Sequence, residues 1–212
     1  MNISALWAKK SKKGYYWLPL TVHLTDTAET AKKLWRKWLP ESVRRMVEES
    51  INGDESEAEK PLVFLAAAHD IGKATPVFQA AMSSFSPSDL DEEIYNNLLF
   101  SGFTVRKGRK KYSSYKKSPH ALASQYLLRR ASDLGLADSN LAIHAAVIAG
   151  AHHGKPSNSG WEDQINRKQA QIVFPAHAGV IPGILCTTGA DVKVAYHIVR
   201  LNRQNFWSRP AL

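Results

Sequence analysis

The chain has a single cysteine, Cys186, among its 212 residues. No disulfide framework can hold it, which excludes the small stapled secreted scaffolds and fits a reducing compartment. Long apolar runs are missing too. The longest, Leu141 to Ala151, is too short to span a bilayer and contains His144. The N-terminus carries Lys9, Lys10, Lys12 and Lys13 with no apolar stretch behind them, so no secretory signal is visible. Few segments alternate with period two, which argues against a sheet-rich body. No Gly-x-x-x-x-Gly-Lys-Ser/Thr loop occurs, so nothing in the chain reads as a nucleoside-triphosphate motor. Acidic residues are scarce: 19 Asp and Glu stand against 28 Lys and Arg, a formal net charge of +9. With 44% hydrophobic residues the chain can still bury a core of its own. A basic, cytoplasmic protein with no membrane segment is expected.

The apolar residues fall at helical spacing. Ala28, Ala31, Leu34, Trp35, Trp38 and Leu39 share one face and predict a helix over 27–39, capped by Asp26 or Thr27 and stopped at Pro40. Val43, Met46, Val47 and Ile51 continue on a second helix, and residues 52–59 read as an acidic turn or linker. Residues 62–69 read as a buried helix, and 75–82 as another with Pro76 in its first turn. Further helices are expected near 90–99, over 119–134 with Gly135 as its C-cap, from Ser139 to about Ala149, and over 161–171. The expected fold class is all-α, with residues 1–170 as one domain. Residues 171–212 lack this periodicity and form an atypical tail.

The positive charge is concentrated. Residues 106–117 carry seven basic side chains and no acidic one: Arg106, Lys107, Arg109, Lys110, Lys111, Lys116 and Lys117. Tyr112 and Tyr115 interleave them. Cations that neutralise phosphates beside rings that stack on bases suit a single-stranded nucleic acid. A solvated basic loop with no ligand is the other reading of the same charge.

Eight histidines are present, and five sit at the ends or starts of the expected helices. His69 and Asp70 end one helix, and His152 and His153 follow another. His120 opens the 119–134 helix, and His23 precedes the 27–39 helix. Imidazole is a common transition-metal ligand, and a carboxylate can bridge two ions. Any one of these histidines could be a satisfied polar group, but five in this pattern beside an aspartate point to a metal site. His144 lies inside an apolar helix and suits the core or a supporting position. His177 and His197 belong to the tail and receive no role.

His69-Asp-Ile-Gly-Lys73 resembles the signature of the HD superfamily of metal-dependent phosphohydrolases. Its context narrows the match. Leu6-Trp-Ala-Lys-Lys-Ser11, Trp17-Leu-Pro-Leu20, His23 with Asp26-Thr-Ala28, and Thr75-Pro-Val-Phe-Gln79 surround it in order. Ser118-Pro-His-Ala121 and Ala149-Gly-Ala-His-His-Gly154 follow. Together, over residues 1 to about 168, these resemble the HD nuclease domain of the CRISPR-associated helicase–nuclease of type I systems, specifically subtype I-E.

The resemblance implies a helical bundle that cuts single-stranded DNA with two divalent ions. One ion would be held by His23, His69, Asp70 and a late aspartate, the other by Asp70, His120, His152 and His153. Asp70 would bridge, and Lys73 would place its ammonium on the scissile phosphate. Two such ions activate water and clamp the oxygens of an in-line displacement. A histidine-rich set favours Mn, Fe, Co or Ni over Mg. The implied partners are the Cascade effector complex and a separate or fused helicase. Two other readings remain: an HD phosphohydrolase of nucleotides or cyclic dinucleotides, and an impaired domain that binds metal or DNA without cutting.

The sequence departs from the family pattern in two places. Asp191 is the only acidic residue after Asp163, and its surroundings do not match those of the late aspartate. The tail segment Val173 to Pro182 resembles a translated CRISPR repeat. Pro175-Ala-His-Ala-Gly179 back-translates to CCC GCG CAT GCG GGG, with CCCGC and GCGGG as inverted arms around GCAT. The expectation is therefore a truncated domain whose frame runs on into a repeat and flanking DNA near residue 170; a genuine, divergent C-terminal subdomain is the other reading.

Overall fold

The structure is a computed structural model that describes residues 2–11, 16–51, 53–81, 89–111, 119–133 and 139–154. Helices dominate, in line with the all-α expectation. Helix α1 spans Leu20–Lys37, α2 Glu41–Ile51, α3 Glu55–Ala68, α4 Pro76–Gln79, α5 Asp89–Phe100, α6 His120–Asp133 and α7 Ser139–Gly150. A short hairpin was not expected: β1 (Trp7–Lys10) pairs antiparallel with β2 (Trp17–Pro19), with an irregular register between Trp7 and Lys9. Strands of four and three residues are too short to show a period of two.

Helix α1 starts at Leu20, seven residues before its expected start at Thr27. Thr27 and Thr30 donate their hydroxyls to the carbonyls of His23 and Asp26, four residues back, at 2.7 Å each. They are satisfied inside the helix rather than at its start. Leu20 and Leu24 extend the buried face of Ala28 and Trp35, and Pro19 holds the N-cap position. His23 therefore lies inside the first turns of α1 instead of preceding it.

The acidic stretch is likewise a helix start and not a linker. The Asp54 carboxylate accepts from the Glu57 N–H at 3.0 Å, and Glu55 and Glu57 sit in the positive first turn of α3. Pro76 takes the first position of α4 as expected, but that helix closes after one turn at Gln79.

Three buried clusters hold these elements. Leu6, Trp7, Leu20 and Leu24 pack with Ile94, Leu98, Phe103 and Val105, joining the hairpin and α1 to α5. Ala28 meets Val63 and Ala67, joining α1 to α3. Ala68 and Ile71 pack with Ala123, Leu127, Ala145 and Ala149, joining the end of α3 to the α6–α7 pair. The turn of residues 69–74 lies between these clusters and is buried from Asp70 to Ala74.

Close backbone approach fixes that turn. A Cβ on Gly72 would lie 2.0 Å from the His120 carbonyl oxygen and 2.5 Å from the Ser124 nitrogen. The Gly72 N–H donates to Ser124 Oγ at 2.8 Å. The turn thus presses directly on the first turn of α6, which brings His120 beside Asp70.

Candidate metal centre

Four elements deliver the candidate ligands. His23 comes from α1, His69 and Asp70 from the end of α3, His120 from the first position of α6, and His152 and His153 from the turn after α7. The Asp70 carboxylate lies at their centre and is buried. Its Oδ2 is 2.8 Å from His23 Nε2 and 3.1 Å from His69 Nε2. Its Oδ1 is 3.2 Å from His120 Nε2 and 3.3 Å from His152 Nε2. His153 Nε2 stands 2.8 Å from His120 Nε2. The structure thus gathers His23, His69, Asp70 and His120 with His152 and His153, as two adjoining sets of three potential ligands, His23/His69/Asp70 and His120/His152/His153.

Helix ends orient two of the rings. The last carbonyls of a helix lack intrahelical donors. His69 Nδ1 lies 2.8 Å from the Ala66 carbonyl, and His152 Nδ1 lies 2.6 Å from the Ala149 carbonyl. A carbonyl only accepts, so each Nδ1 carries the proton and donates it. The Nε2 of each neutral ring is then a lone pair, and both lone pairs face Asp70. This is the arrangement by which an outer hydrogen bond fixes the tautomer of a metal-ligating histidine.

Charge follows the same geometry. Burial opposes ionisation of Asp70, but contacts with His120, His152, His23 and His69 outweigh it and hold the carboxyl far below the usual carboxylate range. Contact with that carboxylate raises the His152 pKa against the opposing effect of burial. Burial, and then repulsion from His152 and His120, lowers the pKa of His153. His153 is therefore biased to the neutral form that binds metals.

The residues fit a divalent transition metal. Asp70 Oδ1 and His152 Nε2 are both buried atoms without a hydrogen-bond partner, and they lie 3.3 Å apart. Unpaired buried polar atoms are costly, and a cation between them removes the cost. The separations of 2.8 to 3.3 Å around this group are also those of neighbouring ligands on one ion. Ligands about 2.1 Å from a metal lie about 3.0 Å apart at a right angle.

Lys73 reaches the same carboxylate. Its side chain is buried, with Nζ 2.7 Å from Asp70 Oδ2 and 5.6 Å from the centre of the Phe78 ring. Phe78 in turn packs edge-on against His120, with ring centres 5.7 Å apart, and lies 4.6 Å from the ring centre of Trp7.

Sequence reasoning assigned no role to Gln79 or Ser124, and both shape the site. Gln79 is fully buried. Its Oε1 accepts from the Trp7 N–H at 3.1 Å, and its Nε2 donates to the carbonyls of Trp7 at 2.9 Å and Lys73 at 2.7 Å. It ties the hairpin to the turn that carries Lys73. The Phe78-Gln79 pair inside the motif is the available signal, but its partner Trp7 lies 72 residues away.

The basic segment is described only in part. Arg106, Lys110 and Lys111 are exposed. Lys107 pairs with Glu92 of α5 and lies 5.5 Å from the Tyr95 ring centre. Residues 109–111 form a single 3-10 turn. Lys116, Lys117, Tyr112 and Tyr115 lie outside the described residues. So do the expected helix over 161–171, Asp191, His177, His197 and the repeat-like segment 173–182.

Comparison with known proteins decides the family. The model of the Cas3 HD domain matches residues 7–195. The chain belongs to the Cas3 HD domain family. The match crosses the boundary that sequence reasoning places at residue 170. A CRISPR-associated nuclease/helicase Cas3 of Streptococcus thermophilus is 40% identical over 176 residues, 81% of this chain. A CRISPR-associated endonuclease/helicase Cas3 of Thermus thermophilus is 30% identical over 164 residues, 77% of the chain. The chain spans only 18% and 16% of the lengths of these two relatives.

Solved structures share the fold. A crystal structure of a CRISPR-associated protein aligns over 99% of this chain and 24% of its own, with a TM-score of 0.62 and 22% identity. T. fusca Cas3-ATP aligns over 98% of this chain and 20% of its own, with a TM-score of 0.61 and 20% identity. The Cas3 HD fold therefore agrees with the HD helical bundle expected from the motifs. Among the described residues, no helix is long and apolar enough to cross a membrane.

Proposed function

We propose that this chain is a metal-dependent nuclease domain that cleaves single-stranded DNA in CRISPR defence. One observation carries the reading: four imidazoles converge on one buried carboxylate whose Oδ1, with His152 Nε2, is left unpaired. The two curated relatives, named as nuclease/helicase and endonuclease/helicase, supply the context.

In this reading Asp70 bridges two ligand sets. His120, His152 and His153 would hold one ion, and His23 and His69 the other. Mn, Fe, Co or Ni suits such nitrogen-rich sets better than Mg. Bound ions supply an activated water and charge neutralisation at the scissile phosphate.

The protein's own groups do the rest. The carbonyls of Ala66 and Ala149 hold His69 and His152 in the ligating tautomer. The Lys73 ammonium offers a charge-assisted donor for a phosphate oxygen. Trp7 and Phe78 wall the site beside His120, excluding water from one side. The segment 106–117 gathers DNA by its charge.

The single-stranded substrate, the cytoplasmic location, the Cascade effector as recruiter and a helicase partner all belong to this proposal, as does subtype I-E. For residues 171–212 the proposal is a frame that leaves the nuclease gene near residue 170 and runs into a repeat, at 173–182, and flanking DNA. The nucleotide sequence tests it, and codons 173–182 without a repeat unit would refute it.

The activity test uses circular single-stranded DNA with Mn or Ni. The chain is expected to cut it, and Asp70→Ala to lower the rate by more than the roughly 10- to 100-fold that losing a mere outer-shell partner of a ligand costs. Equal cleavage by both proteins would refute the proposal.

A further inference from the structure

The two oxygens of Asp70 are not in equivalent surroundings. Oδ1 is buried, faces His120 Nε2 at 3.2 Å and His152 Nε2 at 3.3 Å, and has no hydrogen-bond partner. Oδ2 is well provided for. It lies 2.7 Å from the Lys73 ammonium and 2.8 Å from His23 Nε2. One side of the carboxylate calls for a cation, and the other already has one.

We propose that the two metal positions are unequal because Lys73 competes for one of them. A first ion binds tightly at Asp70 Oδ1 with His120, His152 and His153. The Lys73 ammonium acts as the resident cation of the Oδ2 side, and a second ion enters the His23/His69 set only by displacing it.

The competition has a clear physical basis. The ammonium is buried, so leaving Asp70 forfeits a charge-assisted hydrogen bond in a weakly screened setting. The backbone limits its retreat, because Gln79 Nε2 donates to the Lys73 carbonyl at 2.7 Å and the Lys73 N–H donates to the Asp70 carbonyl at 2.9 Å. Charge points the same way. The two sets contain one carboxylate among the described ligands, Asp70. Two dications beside a retained ammonium would leave that single negative charge facing five positive ones. A hydrogen-bonding ammonium in place of the second ion is the less repulsive arrangement.

This inference rests on the metal-centre reading and goes beyond it, because it orders the two positions and assigns Lys73 a part in metal loading. Its test does not require turnover. The full chain, stripped by chelation, is titrated with Co2+ by calorimetry, with visible absorption followed in parallel. One tight equivalent is expected, followed by a second at least about 100-fold weaker. Lys73→Met, similar in length but uncharged, should tighten the second equivalent at least tenfold, and by more than it tightens the first. Lys73→Arg, which keeps a cation, should leave the second equivalent weak, so the test survives if the Met variant fails to fold.

Two equivalents of equal affinity in the unsubstituted chain would overturn the inference while leaving the metal centre standing. So would a second equivalent that is unchanged in Lys73→Met. Absence of any Co2+ binding would overturn the metal-centre reading itself, and this inference with it.

Discussion

Gly72 shows how tightly single residues set the centre. Its position against the His120 carbonyl and the Ser124 nitrogen leaves no space for a side chain. Gly72→Ala is therefore expected to destabilise the fold by about 3 kcal/mol, the upper end for overpacking a core. Urea unfolding would measure this, and an unchanged midpoint would show that α6 can yield. The clash falls on His120, so the same variant should also weaken Co2+ binding. Much at this scale is legible in sequence. His69-Asp70, His152-His153 and Lys73 stand out as adjacent ligand-type residues in a recognisable motif. The burial of Lys73 against Asp70 is not legible, because three-residue spacing fits a solvated lysine equally well. Gln79 is unreadable for a different reason: it bonds to Trp7, 72 residues away, as well as to Lys73 nearby.

At the scale of elements, helix ends build the site. Two of its rings are held by the final carbonyls of α3 and α7, and a third opens α6. The apolar periodicity of α2, α5, α6 and α7 places those helices in sequence to within a residue or two. The start of α1 is misplaced because Thr27 resembles a cap, whereas its hydroxyl bonds back inside the helix. The acidic start of α3 is misplaced because Glu residues near Gly53 suit a linker as well as a first turn. The hairpin escapes notice because its strands are too short to alternate. The basic segment makes its own prediction. Replacing Arg109, Lys110 and Lys111 with alanine should weaken single-stranded DNA binding and flatten its salt dependence by up to about 0.7 logarithmic units of slope per lost phosphate contact. Fluorescence anisotropy over a salt series would measure it, and an unchanged slope would place the DNA elsewhere. Lys107 is set apart, since it already pairs with Glu92 and lies near Tyr95.

At the scale of the molecule, the turn that follows Asp70 joins two buried clusters, giving Ile71 to one and Ala74 to the other. Long-range packing explains why ligands so far apart in sequence converge. His23 and Asp70 are 47 residues apart, and His120 and His153 are 33 apart. No local pattern fixes such distances, so the grouping of the ligands came from family resemblance, and the structure supplies the geometry. The net charge of +9 also looks different at this scale. Residues 106–117 hold seven basic side chains and no acidic one, while the rest of residues 1–170 is close to neutral.

The central claim is that the unpaired atoms around Asp70 Oδ1 are metal ligands. X-ray absorption at the cobalt edge, on the full chain loaded with one equivalent of Co2+, tests it most directly. The account predicts a first shell of nitrogen and oxygen at about 2.1 Å with the outer-shell scattering of three imidazoles. A shell of oxygen alone, without imidazole scattering, would contradict it.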